Sequence, residues 1–110
     1  MTAIRSNDSS IVLINTFYVS PDRSDELLQL LIEATNEVMR HQAGFISANL
    51  HVSLDKKRIV NYAQWRSKED FEAMRSNPDA KHHMEGAARI AERFDPMLYV
   101  VAHVDDRANN

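Results

Sequence analysis

The only Trp of the chain, Trp65, stands four residues after Asn61 in the run Arg58-Ile59-Val60-Asn61-Tyr62-Ala63-Gln64-Trp65-Arg66. The run is rich in β-branched and aromatic residues and reads as a strand, so its side chains alternate between two faces. Ile59, Asn61, Ala63 and Trp65 share one face, with about 13 Å along the strand between Asn61 and Trp65. One amide and one indole N–H among apolar neighbours are the usual make-up of a small-molecule pocket. The alternative is structural: Trp65 fills the core and Asn61 satisfies a nearby backbone group. Asn15 is a second amide in apolar company, on the face of Leu13 and Phe17. It joins the pair if the first strand lies beside the third, or else bonds to backbone near a bulge.

Other reactive groups are thinly placed. His82 and His83 are adjacent on a helical pattern and point about 100° apart, so they do not converge on one metal ion. His82 with Glu85 supplies two ligands and no third. His51 falls on the far face of its strand, and His41 and His103 lie near element ends. The sixteen Asp and Glu residues lie mostly on helix faces and tails, as solvated charge. Cys is absent, which removes disulfides, thiolate metal sites and Cys nucleophiles. No glycine-rich phosphate loop is present. A formal charge of −3 without a Lys/Arg run argues against a nucleic-acid partner. The apolar runs Ile11–Ile14 and Tyr99–Ala102 are too short to span a bilayer, and the first residues carry no apolar signal core. No membrane association and a cytoplasmic location are therefore expected.

The elements that must position Asn61 and Trp65 follow from periodicity. Residues 1–10 and 105–110 read as polar tails around one domain, 11–104. Ile11–Val19 is a strand apolar on both faces. Ser20-Pro21 opens a helix to about His41, with Ser20 as cap and Leu27, Leu31, Ala34 and Val38 on its stripe. Phe45–Leu54 is a strand whose inner face is Ile46, Ala48, Leu50, Val52 and Leu54. An even hairpin loop near Asp55-Lys56-Lys57 pairs Val52 with Asn61, Leu50 with Ala63 and Ala48 with Trp65. It also places His51 opposite Tyr62 on the other face. Ser67 caps a short helix, and Asn77-Pro78 opens an Ala-rich one to about Arg93. Asp95-Pro96 is expected to stop that helix, before a last strand over Met97–Val104.

This order is α+β: a ferredoxin-like βαββαβ chain with a four-stranded antiparallel sheet and its helices on one face. Strands one and four are apolar on both faces, so the uncovered face is expected to pack on a second copy, sheet to sheet, as a homodimer (a dimeric α+β barrel).

Ala43-Gly44-Phe45-Ile46-Ser47-Ala48, Leu50-His51 with Ser53, and Val60-Asn61-Tyr62-Ala63-Gln64-Trp65 with Ser67 closely resemble the antibiotic biosynthesis monooxygenase family, over roughly residues 11–104. Asn-Tyr-Ala-Gln-Trp is most similar to its cofactor-independent anthrone oxygenases. The resemblance implies a homodimer that oxidises an electron-rich aromatic to a quinone with O₂ and needs no metal, flavin or haem. It makes Asn61 and Trp65 the catalytic pair, fixed donors to the oxygen of a substrate anion. Asn15, Phe71, His83 and Met84 are the further substrate-binding candidates. Some anthrone oxygenases have a Tyr where this chain has Phe71, and an Arg in the region of His82-His83-Met84-Glu85. In the haem-degrading branch, Asn15 matches a first-strand Asn, but a Trp and an iron-binding His fall at Met74 and Met84. Polyketide cyclase or isomerase activity and non-enzymatic ligand binding are the remaining alternatives.

Overall fold

The computed structural model describes residues 2–6 and 10–107. The seven elements are β1 (Ile11–Tyr18), α1 (Ser24–Glu37), β2 (Phe45–Val52), β3 (Arg58–Trp65), α2 (Lys68–Arg75), α3 (Pro78–Ile90) and β4 (Arg93–Tyr99). The strands form one antiparallel sheet in the order β2-β3-β1-β4, so β1 and β3 are the central pair. The ferredoxin-like expectation holds. Helix and sheet residues mix in two apolar clusters. One gathers Leu13, Val38, Ala63, Trp65, Phe71, Met74 and Ala80; the other gathers Phe17, Val19, Leu27, Leu31, Ile59, Ala87 and Ala91. Along β1 and β3, the position between the two clusters is taken by Asn15 and Asn61.

The hairpin keeps the expected parity but not the expected register. Leu50 faces Asn61, Ala48 faces Ala63 and Asn49, rather than His51, faces Tyr62: a shift of two residues. The cause is a longer turn. Ser53 N–H donates to Arg58 O (2.9 Å), the Lys57 N–H and the Ser53 hydroxyl both donate to Asp55 Oδ1 (3.0 and 2.7 Å), and Lys56 takes a positive φ of 61°. Because the count stays even, Asn61 and Trp65 still face the helices. A bulge between Phe45 and Ser47 turns Phe45 inward and leaves Ile46 exposed, the reverse of the expected phase; Leu54 lies in the turn and is also exposed.

Three further boundaries differ from expectation. Ser20 makes no capping bond; single 3₁₀ turns at Pro21–Arg23 and Met39–His41 flank α1. Helix α3 ends at Ile90, and Asp95-Pro96 lie inside β4, because Arg93 and Phe94 already pair with Tyr18 and Phe17. β4 is an edge strand, where the missing N–H of Pro96 is tolerated. Residues 100–104 are not strand. Of the expected N-terminal tail, Ala3 is docked, its carbonyl accepting from Gln64 Nε2 (2.6 Å). Residues 1, 7–9 and 108–110 of the two expected tails lie outside the described residues.

The start of β2 is locked to the start of α2. Gly44 has φ +82°, and a Cβ there would run into the Asp70 carboxyl group. Ser67 accepts from Asp70 N–H (3.1 Å), and Asp70 Oδ2 accepts from Ser67 Oγ (3.0 Å) and Arg66 Nε (2.8 Å). Gly44→Ala is expected to destabilise the fold by about 1–3 kcal/mol in urea unfolding. The Arg66 guanidinium, with the Ser67 hydroxyl, holds the Asp70 carboxyl below its ordinary range. A depressed folded value means that the stabilisation is present above the unfolded value and lost as pH falls through the folded one. Asp70→Asn should therefore be less stable than the parent at neutral pH and converge with it in acid. A gap that stayed constant with pH would contradict this.

Candidate active site

A cavity of ≈480 Å³ lies between the sheet and the helices. Its floor is Leu13 and Asn15 of β1, Asn61 and Ala63 of β3, and Ala48 of β2; Ala34, Ala80, Met84 and Ala88 roof it. The small helix residues leave space that longer ones would fill. The Ala-rich face of α3 therefore makes room as well as permitting close packing.

Asn15 and Asn61 are directly paired across β1 and β3. In such a pair the Cβ atoms lie about 4.5–5.5 Å apart, close enough for both amides to grip one ligand. Trp65 closes the far end of the floor. Its ring is 2% exposed and held edge-on by Phe45 (centroids 5.6 Å, 87°) and Phe71 (6.1 Å, 72°). Phe71 lines the cavity and, lacking a hydroxyl, contributes only a wall.

The hydrogen bonds separate a structural reading of these amides from a functional one. Among the described residues, four buried side-chain polar atoms have no partner: Asn15 Oδ1, Asn61 Oδ1, Trp65 Nε1 and Ser24 Oγ. The first three belong to residues lining the cavity. Each such orphan costs roughly 1–3 kcal/mol. The outer face of the same sheet shows the contrast. Gln64 accepts from Ser47 Oγ (2.7 Å) and donates to Ala3 O, while Asn49 Nδ2 donates to Tyr62 O (2.9 Å) and Ser47 Oγ (3.1 Å). Amides on the outside are satisfied; those on the inside are not. Among the described residues bordering the cavity the one hydroxyl, that of Thr35, is already donated to Leu31 O (2.9 Å).

The structure thus brings Asn15, Asn61, Trp65, Phe71 and Met84 together around one space. It does not bring His83 there. Its Nδ1 lies 2.9 Å from Asp79 O and its Nε2 3.5 Å from Glu37 of α1, because Ala80 and Ala87 occupy the inward phase of α3. Sequence reasoning missed the mouth, where Arg75, Lys81 and Glu85 border the cavity. The signal was the stripe Lys81, Met84, Glu85, Ala88 at three- and four-residue spacing. Among the described residues no three His, Asp or Glu side chains gather into a metal-binding group. No helix among them is long and apolar enough to cross a membrane.

A match to the antibiotic biosynthesis monooxygenase family spans residues 10–86. The chain belongs to this family. It is 38% identical over 103 residues to a tetracenomycin F1 monooxygenase of Streptomyces glaucescens, covering 94% of this chain and 91% of that one. Its fold is shared with a mutant of SnoaB, a cofactor-independent oxygenase of Streptomyces nogalater (TM-score 0.80, 16% identity, 87% of this chain and 96% of that one). It is shared equally with the monooxygenase ActVA-Orf6 of Streptomyces coelicolor in complex with nanaomycin D (TM-score 0.80, 24% identity, 88% and 91%). Within the family, the haem-degrading alternative needs a Trp and a His where this chain places Met74 and Met84, both lining the cavity, with His83 turned away to Glu37.

The orphaned amides give a stability test. Replacing Asn15 by the near-isosteric Leu removes a buried acceptor that has no partner, so it should stabilise the fold by about 1 kcal/mol in urea unfolding. A loss of similar size would mean that the amide makes a structural bond.

Proposed function

We propose that this chain is a monooxygenase that oxidises an electron-rich aromatic of the anthrone or quinol type to a quinone with O₂, using Asn61 and Trp65, and with the substrate itself supplying the electrons. The observation that carries this reading is the set of three unpaired buried polar atoms, on Asn15, Asn61 and Trp65, around one apolar cavity. At ≈480 Å³ the cavity has the size of a small-molecule site. Kinship with a tetracenomycin F1 monooxygenase supports a polyketide-derived substrate.

The chemistry can be balanced without metal, flavin or haem. A proton leaves the anthrone, and the resulting delocalised oxyanion passes one electron to O₂. The radical pair couples through a new C–O bond, and the peroxide oxygen takes up the proton lost in the first step, giving a hydroperoxide. Loss of the second C–H proton and cleavage of the O–O bond then yield the quinone carbonyl and one water. The protein's part is to hold the oxyanion in a dry apolar slot and to meet its oxygens with the Trp65 N–H at one end and the Asn61 N–H donors at the other. The amide oxygens of Asn15 and Asn61 accept from the substrate's phenolic O–H groups.

An oxygen electrode tests this with dithranol as substrate and a chelator present. Uptake should exceed the autoxidation background, and Trp65→Phe and Asn61→Ala should each lower kcat/KM by roughly 10²-fold, as loss of an oxyanion donor does elsewhere. Uptake equal to background, or undiminished in both variants, sinks the reading.

The homodimer is part of the same proposal. Val12 on the outer sheet face is 2% exposed, beside a hollow bordered by Ile4 and residues 100–103, while Met97, Tyr99 and Val100 stay exposed. A second copy packed there would bury these side chains. Light scattering after size exclusion should give twice the chain mass at micromolar concentration; a stable monomer would contradict it.

A further inference from the structure

The charges around the cavity are confined to its mouth. Arg75 ends α2, Lys81 and Glu85 lie one turn apart on α3, and every other residue bordering the cavity is uncharged. The Arg75 guanidinium lies 5.8 Å from the centre of the Phe71 ring and 3.5 Å from Glu72. Among the described residues the Lys81 ammonium has no hydrogen-bond or ion-pair partner. It does not pair even with Glu85, four residues on, a spacing that permits a bridge.

Resting on the oxygenase reading of the same cavity, we propose that the natural substrate carries a carboxylate, held at the mouth by Lys81 and Arg75 while its rings lie over Ala63 between Asn61 and Trp65. The interior holds no cation, so a carboxylate buried there would lose its hydration without a counter-ion. It stays outside, where two cations face it. Arg75 stacks on Phe71, and Phe71 packs edge-on against Trp65, so the mouth is tied to the wall that grips the rings. Anchoring the acid at this end decides which edge of the ring system meets Asn15 and Asn61. Lys81 and Arg75 are thus specificity-determining residues. Glu85 opposes them and sets a limit: a second negative charge on the substrate near α3 is repelled.

Two substrates that differ in one group test this: dithranol, and dithranol bearing a single ring carboxyl. Two readouts are taken, O₂ uptake for kcat/KM and quenching of the only Trp, Trp65, for Kd. The parent protein should favour the acid by about tenfold, the work of two exposed ion pairs, and the preference should shrink with added salt. Lys81→Met and Arg75→Met should each lower the acid-to-neutral ratio, together bringing it near one, and Glu85→Gln should raise it. Equal handling of the two compounds by the parent, or a preference that survives in the double variant, overturns the carboxylate proposal and leaves the oxygenase reading standing. Tighter quenching by the acid with no O₂ uptake from either compound does the reverse.

Discussion

The structure depends on an interruption of its core. Asn15 and Asn61 face one another across the two central strands, at the one inward level where neither strand presents a hydrocarbon. Above and below them the sheet packs normally, Leu13 with Ala63 in one cluster and Phe17 with Ile59 in the other. An apolar residue at 15 and 61 would join the two clusters into one continuous core. The amides break the hydrocarbon at this level, and their side-chain oxygens are buried with nothing in the protein to bond. Above them the roof is short-chained, built from Ala34, Ala80 and Ala88, and the gap is the cavity.

Trp65 needs a different kind of support, because its indole N–H must sit in an apolar space without being drawn to backbone. Two aromatic rings fix its plane, and both arrive through local irregularities. Phe45 points inward only because of the bulge at the start of β2, and Phe71 stands one turn into α2, whose first turn is held by Ser67, Asp70 and Arg66. Gly44 joins the two supports: its positive φ begins β2, and its missing side chain admits the Asp70 carboxyl. Arg66 N–H donates back to Gly44 O at 2.7 Å, closing the corner directly after Trp65.

Much of this could be read from residues alone, and the failures have physical causes. Alternation put Asn61 and Trp65 on the helix side, and hairpin parity kept them there although the register was two residues out. Parity survives a change of turn length by two; register does not, and Asp55 capping a wider turn is a side-chain detail beyond alternation. The inward turn of Phe45 was invisible because a bulge breaks the very period being used. Asp95-Pro96 looked like a helix stop, yet at a sheet edge proline is compatible with a strand, and edge position is a tertiary fact. His83 was a candidate only by its neighbours in sequence; the phase of α3, set by which alanines face the sheet, assigns it to Glu37 instead.

On the proposed chemistry, a cavity with neutral amides and no interior charge suits the reaction. A catalytic carboxylate or ammonium placed beside Asn61 would be desolvated, and its pKa would move toward the neutral form, so little of the charge it was placed for would remain. An amide or indole donor has no protonation state to lose. It also suffers no like-charge repulsion when the substrate becomes an anion, and its worth grows as the surroundings become drier. Phenolic anthrones and quinols are acidic enough to supply the anion with modest help, so what the protein must provide is a place where that anion's oxygen is met by donors and its rings by hydrocarbon. Charge then belongs at the mouth, still hydrated, where Arg75, Lys81 and Glu85 stand. The absence of a conspicuous acid or base beside Trp65 is, on this argument, a requirement of the site.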